Sequence, residues 1–212
     1  MTDWPSDVAA LGDALRLDHF FVAGHSSGGP YAVACAALLP QRVSAALVLA
    51  GVTDMAWPDA WDGYNDMEAE LMRIGNEEAA VAWCVERFGE DGSGFLAAAD
   101  LTLTEPDEAL FSDEQIAPML AAARAEAFRQ GVIGYAHDIV VQGRPWPFDP
   151  SMIGVPVHVV HGDSDAVLPL AHSRHTAELI RGSNLRVLAG HGHFSILAEL
   201  PSMASNLARS LV

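Results

Sequence analysis

Four short apolar runs constrain this chain more than any other feature. Residues 19–24 (HFFVAG), 43–51 (VSAALVLAG), 155–161 (VPVHVVH) and 185–189 (LRVLA) are rich in strand formers. The second is almost continuously apolar, as expected of a parallel strand covered on both faces. Helical patterns lie between and around them: 5–16, with Val8, Ala9, Leu11 and Leu15 at helical spacing behind Pro5 and Ser6; 27–39, ended before Pro40; 169–181; and 196–211. Strands alternating with helices predict a parallel α/β sheet. The segment from Thr53 to about Pro150 breaks the rhythm with helical patterns and no convincing buried strand, so it reads as an inserted helical cap. The expected division is a core over 1–52 and 151–212 and a cap over 53–150. Trp57, Trp61, Trp83, Phe88, Met67 and Met72 concentrate in the insertion, as an apolar pocket wall or as the cap's own core. The acidic run from Glu105 to Glu114 is expected to be a solvated surface.

At 212 residues, half of them hydrophobic, the chain can bury one sizeable core, and one domain with an insertion is the default. A formal net charge of −17, with only 11 Lys and Arg, argues against nucleic acid or an anionic membrane as partner. Cys35 and Cys84 fall in apolar helical stretches and are expected to be buried thiols in a reducing compartment. No apolar run approaches the ~18 residues of a membrane span, and the N-terminus lacks a signal core, so the expected location is the cytoplasm.

The chemistry centres on Gly24-His25-Ser26-Ser27-Gly28, which satisfies G-x-S-x-G between an apolar strand and a helix. Such an elbow holds its serine in a strained turn, with Gly24 and Gly28 keeping strand and helix from colliding. Ser26 would lie at a helix N-terminus, where the Ser27 amide and the helix dipole favour a developing oxyanion. The alternative is a Gly/Ser-rich loop that only packs a strand on a helix. A serine nucleophile needs a base and a group that orients the base. His161-Gly-Asp163-Ser-Asp165, after the third strand, offers two carboxylates, and Gly190-His191-Gly-His193-Phe, after the fourth, offers two histidines. Both arrive at the sheet edge that carries Ser26. Asp54, after the second strand, is a further candidate acid. His25 either shapes the pocket or packs beside the nucleophile. His172 and His175 have i, i+3 spacing but no completing metal ligands, so a solvated helix face is expected for them. Asp138 has no assigned chemistry.

Together these residues resemble the α/β-hydrolase superfamily, from about residue 3 to the C-terminus, and specifically its cap-bearing esterases, lactonases, iminopeptidase-like and haloperoxidase-like members. The resemblance places the acid on Asp165, the second carboxylate of a G-x-x-D loop, and the base on His193 of the G-H-F turn. Asp163 and His191 then become turn formers or supporting hydrogen-bonding groups. The implied activity is hydrolysis of a small-molecule carboxyl ester or lactone through an acyl-enzyme, with no metal or organic cofactor.

The family places several strands and a second oxyanion donor loop before the elbow, whereas this chain begins one helix before it. The expected fold is therefore an N-terminally truncated α/β hydrolase with an incomplete core. The strand at 19–24 would be an exposed edge that invites pairing with another chain. Three explanations follow: a fragment of a longer enzyme, a shortened and catalytically impaired relative used as a binding or interaction domain, or a compact hydrolase with a different donor.

Overall fold

The computed structural model describes residues 1–95 and 101–210. Residue 211, the end of the last predicted helix, lies outside the described residues. Four strands, β1 (Phe20–His25), β2 (Val43–Leu49), β3 (Val157–Gly162) and β4 (Asn184–Leu188), form one parallel sheet in the order β1-β2-β3-β4. The predicted strands therefore all form, with ends moved by one or two residues, as is usual at element boundaries.

Helix α1 (Trp4–Ala14) precedes β1, and a 3-10 turn over Ser26–Gly28 leads from β1 into α2 (Gly29–Leu38). The exposed face of α2 is small, because Ala32, Val33, Ala34, Cys35 and Ala36 are all buried. A helix apolar on nearly every side sinks into a core, and its alanines let it approach the sheet closely. Gly29 sits against the backbone of Gly51, and a Cβ on either would collide with Val48 or the facing glycine. The period-2 alternation of β2 sorts its side chains. Ala46 and Val48 join Val33, Val157, Val159 and Ile180 on one face, whereas Ala45, Leu47 and Leu49 join Val160, Ile196 and Met203 on the other. The second face is covered by α9 (Leu200–Ser210), the first by α2 and by α8 (Leu170–Leu179).

Between β2 and β3 the chain forms α3 (Asp66–Ile74), α4 (Glu77–Phe88), α5 (Glu105–Ser112), α6 (Ile116–Ala127) and α7 (Ile133–Gln142). The apolar faces of α3, α4 and α7 build a separate cluster around Leu71, Met72, Trp83, Cys84, Phe88 and Ile139, with Trp57, Trp61 and Met67 packed against it. Most of the aromatic and Met residues singled out in the sequence are thus core of this layer, and Met67 also faces a cavity described below. Both thiols, Cys35 and Cys84, are buried and free, and burial pushes each up to about 11. Among the described residues no helix is long and apolar enough to cross a membrane.

Candidate active site

Ser26 occupies the turn between β1 and α2 with φ of +52°, in the left-handed region that non-glycine residues rarely enter. The turn is held by the surrounding chain: the Val52 amide donates to the Ser26 carbonyl at 3.1 Å. Gly24 is sterically required, because a Cβ there would meet the Gly28 carbonyl. Gly28 itself faces open space and has φ of −77°, so the steric role expected of it falls instead to Gly29 against Gly51.

The loops after β3 and β4 bring a carboxylate and an imidazole to this turn. His193 Nε2 lies 2.9 Å from Ser26 Oγ, and His193 Nδ1 lies 2.8 Å from Asp165 Oδ2. A carboxylate can only accept, so Nδ1 carries the proton and Nε2 is left to accept from the serine hydroxyl. The His193 and Asp165 side chains are 2% and 1% exposed. Burial by itself would raise the Asp165 carboxyl. The hydrogen bond and charge of His193 and the Leu168 amide outweigh it and hold the group below the usual carboxylate range. Asp165 Oδ1 also accepts from the amides of Val167 (2.8 Å) and Leu168 (2.9 Å), which fixes the carboxylate plane.

Two supporting groups had no counterpart in the sequence reading. His161, at the end of β3, is fully buried behind Asp165. Its Nε2 is 3.1 Å from the Leu168 carbonyl and 3.3 Å from Asp165 Oδ2, and its Nδ1 is 2.8 Å from Ser173 Oγ. The carbonyl fixes the proton on Nε2, and burial lowers the ring's pKa, so it serves as a neutral donor. Asp107 is the exception to the solvated run expected from Glu105 to Glu114, in which Glu105, Glu108, Asp113 and Glu114 are exposed. It is fully buried in the first turn of α5 and accepts backbone N–H bonds from His193 (3.0 Å), Phe194 (2.9 Å) and Ser195 (2.8 Å). Gly192 makes this possible, because a Cβ there would strike the Asp107 carboxylate and the Thr104 hydroxyl. The turn G-H-G-H-F was visible in the sequence; its clamp from 86 residues away was not.

The remaining candidates fall elsewhere. Asp163 accepts from the Gly190 amide (2.8 Å) and Ser164 (2.9 Å), joining the two loops as a turn former. His191 Nδ1 bonds the Ala189 carbonyl, with Glu199 at 3.6 Å from Nε2. Asp54 caps the Ala56 amide. His25 donates from Nε2 to the His193 carbonyl at 2.8 Å and packs beside that ring, and burial lowers it to about 4. The pair on α8 is not a solvated face. His172 is fully buried and accepts from the Thr53 amide at 3.3 Å, while His175 bonds Thr53 Oγ1 at 2.8 Å and stacks on Trp57. Asp138 accepts from Tyr31 at 2.8 Å.

Ser26 and His193 open into a cavity of about 220 Å³ lined by Ser27, Val52, Tyr64, Met67, Glu68, Phe95, Tyr135 and Leu168, among others. A larger hollow of about 450 Å³ lies between α1, β1, α2 and α7 and shares Ser27 and Tyr135 with the first. The smaller cavity is the one that holds the Ser26 hydroxyl and the imidazole.

The alpha/beta hydrolase fold family matches residues 2–200. The chain belongs to that family. Among solved structures, this hydrolase chain is similar to the enol-lactonase from Burkholderia xenovorans LB400, at 19% identity and a TM-score of 0.63, over 97% of this chain and 70% of that one. It is similar to a thermophilic esterase from Thermogutta terrifontis at 21% identity and a TM-score of 0.57, over 98% and 70%. It is also similar to Est816, described as an N-acyl homoserine lactone degrading enzyme, at 28% identity and a TM-score of 0.50, over 100% and 74%. A comparison with curated proteins gives no significant match.

Proposed function

We propose that this chain hydrolyses a small-molecule carboxyl ester or lactone through an acyl-enzyme on Ser26. Ser26 Oγ attacks the carbonyl carbon while its proton passes to His193 Nε2, and Asp165 holds the imidazole in the required tautomer and stabilises the imidazolium that forms. The oxyanion is met by the Ser27 amide, in the first turn of a helix where backbone N–H groups lack intrahelical acceptors. Collapse breaks the C–O bond, the departing alkoxide takes the proton from His193, and a water activated by the same nitrogen releases the acid. The segment 53–150 acts as a cap, closing the cavity over Ser26 and selecting the substrate.

One observation carries this reading: the continuous chain from Ser26 Oγ through both nitrogens of His193 to Asp165, at 2.9 and 2.8 Å, with the serine in a positive-φ turn. Similarity to an enol-lactonase and an esterase supports the substrate class. The test is labelling of the purified chain by a fluorophosphonate, beside Ser26→Ala and His193→Ala. Labelling that disappears in both variants is the expected result; a folded parent that stays unlabelled would replace the enzyme with a hydrolase-like binding domain.

A further inference from the structure

The wall of the Ser26 cavity also carries a carboxylate, Glu68, with no cationic partner among the described residues. Glu68 sits in the first turn of α3, where the Asn65 side chain caps its amide at 3.0 Å. Its two oxygens accept from two phenols, Tyr64 at 2.8 Å and Tyr135 at 3.0 Å. Burial, followed by the charge and hydrogen bond of Glu68, raises both phenols well above their ordinary value, so they remain protonated donors. The chain contains no lysine. The arginine ion pairs among the described residues, Arg42–Asp13, Arg87–Glu70 and Arg129–Glu126, involve other carboxylates.

This arrangement fixes the polarity of what the cavity can hold. Each phenol directs its single proton to Glu68, so the carboxylate and phenol oxygens offer a ligand lone pairs; the side chain of Asn65, whose oxygen caps the Glu68 amide, adds a neutral NH2 donor to the same wall. The Ser26–Ser27 part of the lining, just before α2, presents N–H groups and the positive end of a helix. A carbonyl fits at the Ser27 end, and an N–H, O–H or ammonium fits at the Glu68 end. A carboxylate beside Glu68 would be desolvated against a like charge, with the neutral Asn65 amide and no cation to offset the repulsion.

We infer that Glu68, held by Tyr64 and Tyr135, is a specificity-determining residue that selects acyl substrates bearing a hydrogen-bond donor or a cation remote from the scissile carbonyl and rejects those bearing a carboxylate there. The inference rests on the Ser26 cavity being the substrate site, as proposed above. A unit charge brought against Glu68 changes affinity by roughly 10- to 100-fold at the effective dielectric of a partly buried site.

The test separates recognition from chemistry by using Ser26→Ala and ligands that are not cleaved. N-ethylhexanamide and its 6-ammonium and 6-carboxylate derivatives are titrated by calorimetry into Ser26→Ala and into Ser26→Ala/Glu68→Gln. The expected order is ammonium, neutral, carboxylate, with at least about a tenfold gap between the extremes that shrinks severalfold when Glu68 is neutral. Equal affinities, tighter carboxylate binding, or a gap unmoved by Glu68→Gln would overturn the inference. If the double variant does not fold, the Glu68 carboxylate resonance of ¹³C-glutamate-labelled Ser26→Ala serves instead: it shifts with the ammonium ligand and not with the neutral one, and no shift with either counts against the inference. With the parent chain, kcat/KM for the matching p-nitrophenyl esters follows the same order. A preserved binding order in a chain that never labels with fluorophosphonate would refute the reaction and leave the charge selectivity standing.

Discussion

The two flanks of Ser26 are built differently. On the β3–β4 flank, Asp165, His193, His161 and Asp107 are side chains buried almost completely, and their polar atoms are bonded to one another, to serine hydroxyls or to backbone amides and carbonyls. β1, like β4, is an edge of the described sheet, but on the β1 flank the strand borders a hollow bounded by Trp4, Val8, Val22 and Ile139. Trp4, Leu11, Leu15 and Leu17 are exposed there by 43–59%. The groups of the triad stand where hydrogen bonds over-determine them, whereas the side that backs the serine carries the exposed apolar residues of α1 and its following turn.

The largest effect should come from cutting the clamp on the packed flank. Asp107→Ala orphans three buried amides and is expected to cost about 4 kcal/mol in urea unfolding and on the order of 100-fold in fluorophosphonate labelling rate. Asp107→Asn, which keeps the oxygen bonded to Phe194 and Ser195 but turns an NH2 toward the His193 amide, should fall between. A labelling rate unaffected by either would mean that the His193 turn holds itself.

A smaller effect should follow acidification. Burial lowers His172 to about 4, below the 6.5 of an unfolded histidine, so the unfolded chain takes up the proton first. Its share of stability is complete above about pH 6.5 and is lost as pH falls toward 4, up to about 3 kcal/mol. His25 is shifted in the same direction and by the same cause. Urea midpoints measured between pH 7.5 and 4.5 should therefore fall, and His172→Gln should flatten the slope. A midpoint constant over that range would show that the two rings are hydrated in solution.

The smallest effect is expected on the open flank. Leu15, 59% exposed, replaced by Glu should change stability by no more than about 0.5 kcal/mol, within the range of ordinary surface substitutions. Sedimentation run beside the melt sharpens the comparison, because a larger loss together with a drop in particle mass would mean that this surface is covered by a second chain.

These two flanks were not equally legible in the sequence. The strands, the elbow and the pairing of a carboxylate loop with a histidine loop follow from apolar runs and glycine placement, which are local signals. Gly24 was legible for the same reason. Asp107 was not, because it reads together with its neighbours Glu105 and Glu108 as a hydrophilic run, and its burial depends on amides 86 to 88 residues away. His172 and His175 misled for a related reason. Helical spacing says which residues share a face, but α8 packs against the sheet on one side and meets Trp57 and Tyr64 on the other. The face left for water is that of Arg174 and Glu178.

Asp107 belongs to the helical insertion, whereas the turn it grips follows β4. Anyone exchanging such insertions between relatives to make chimeras would ordinarily treat 53–150 as a removable module. In this chain Asp107 and Gly192 form a matched pair across the junction, one a carboxylate and the other a space left for it. A graft that carries one without the other would deliver intact helices and a displaced His193 turn.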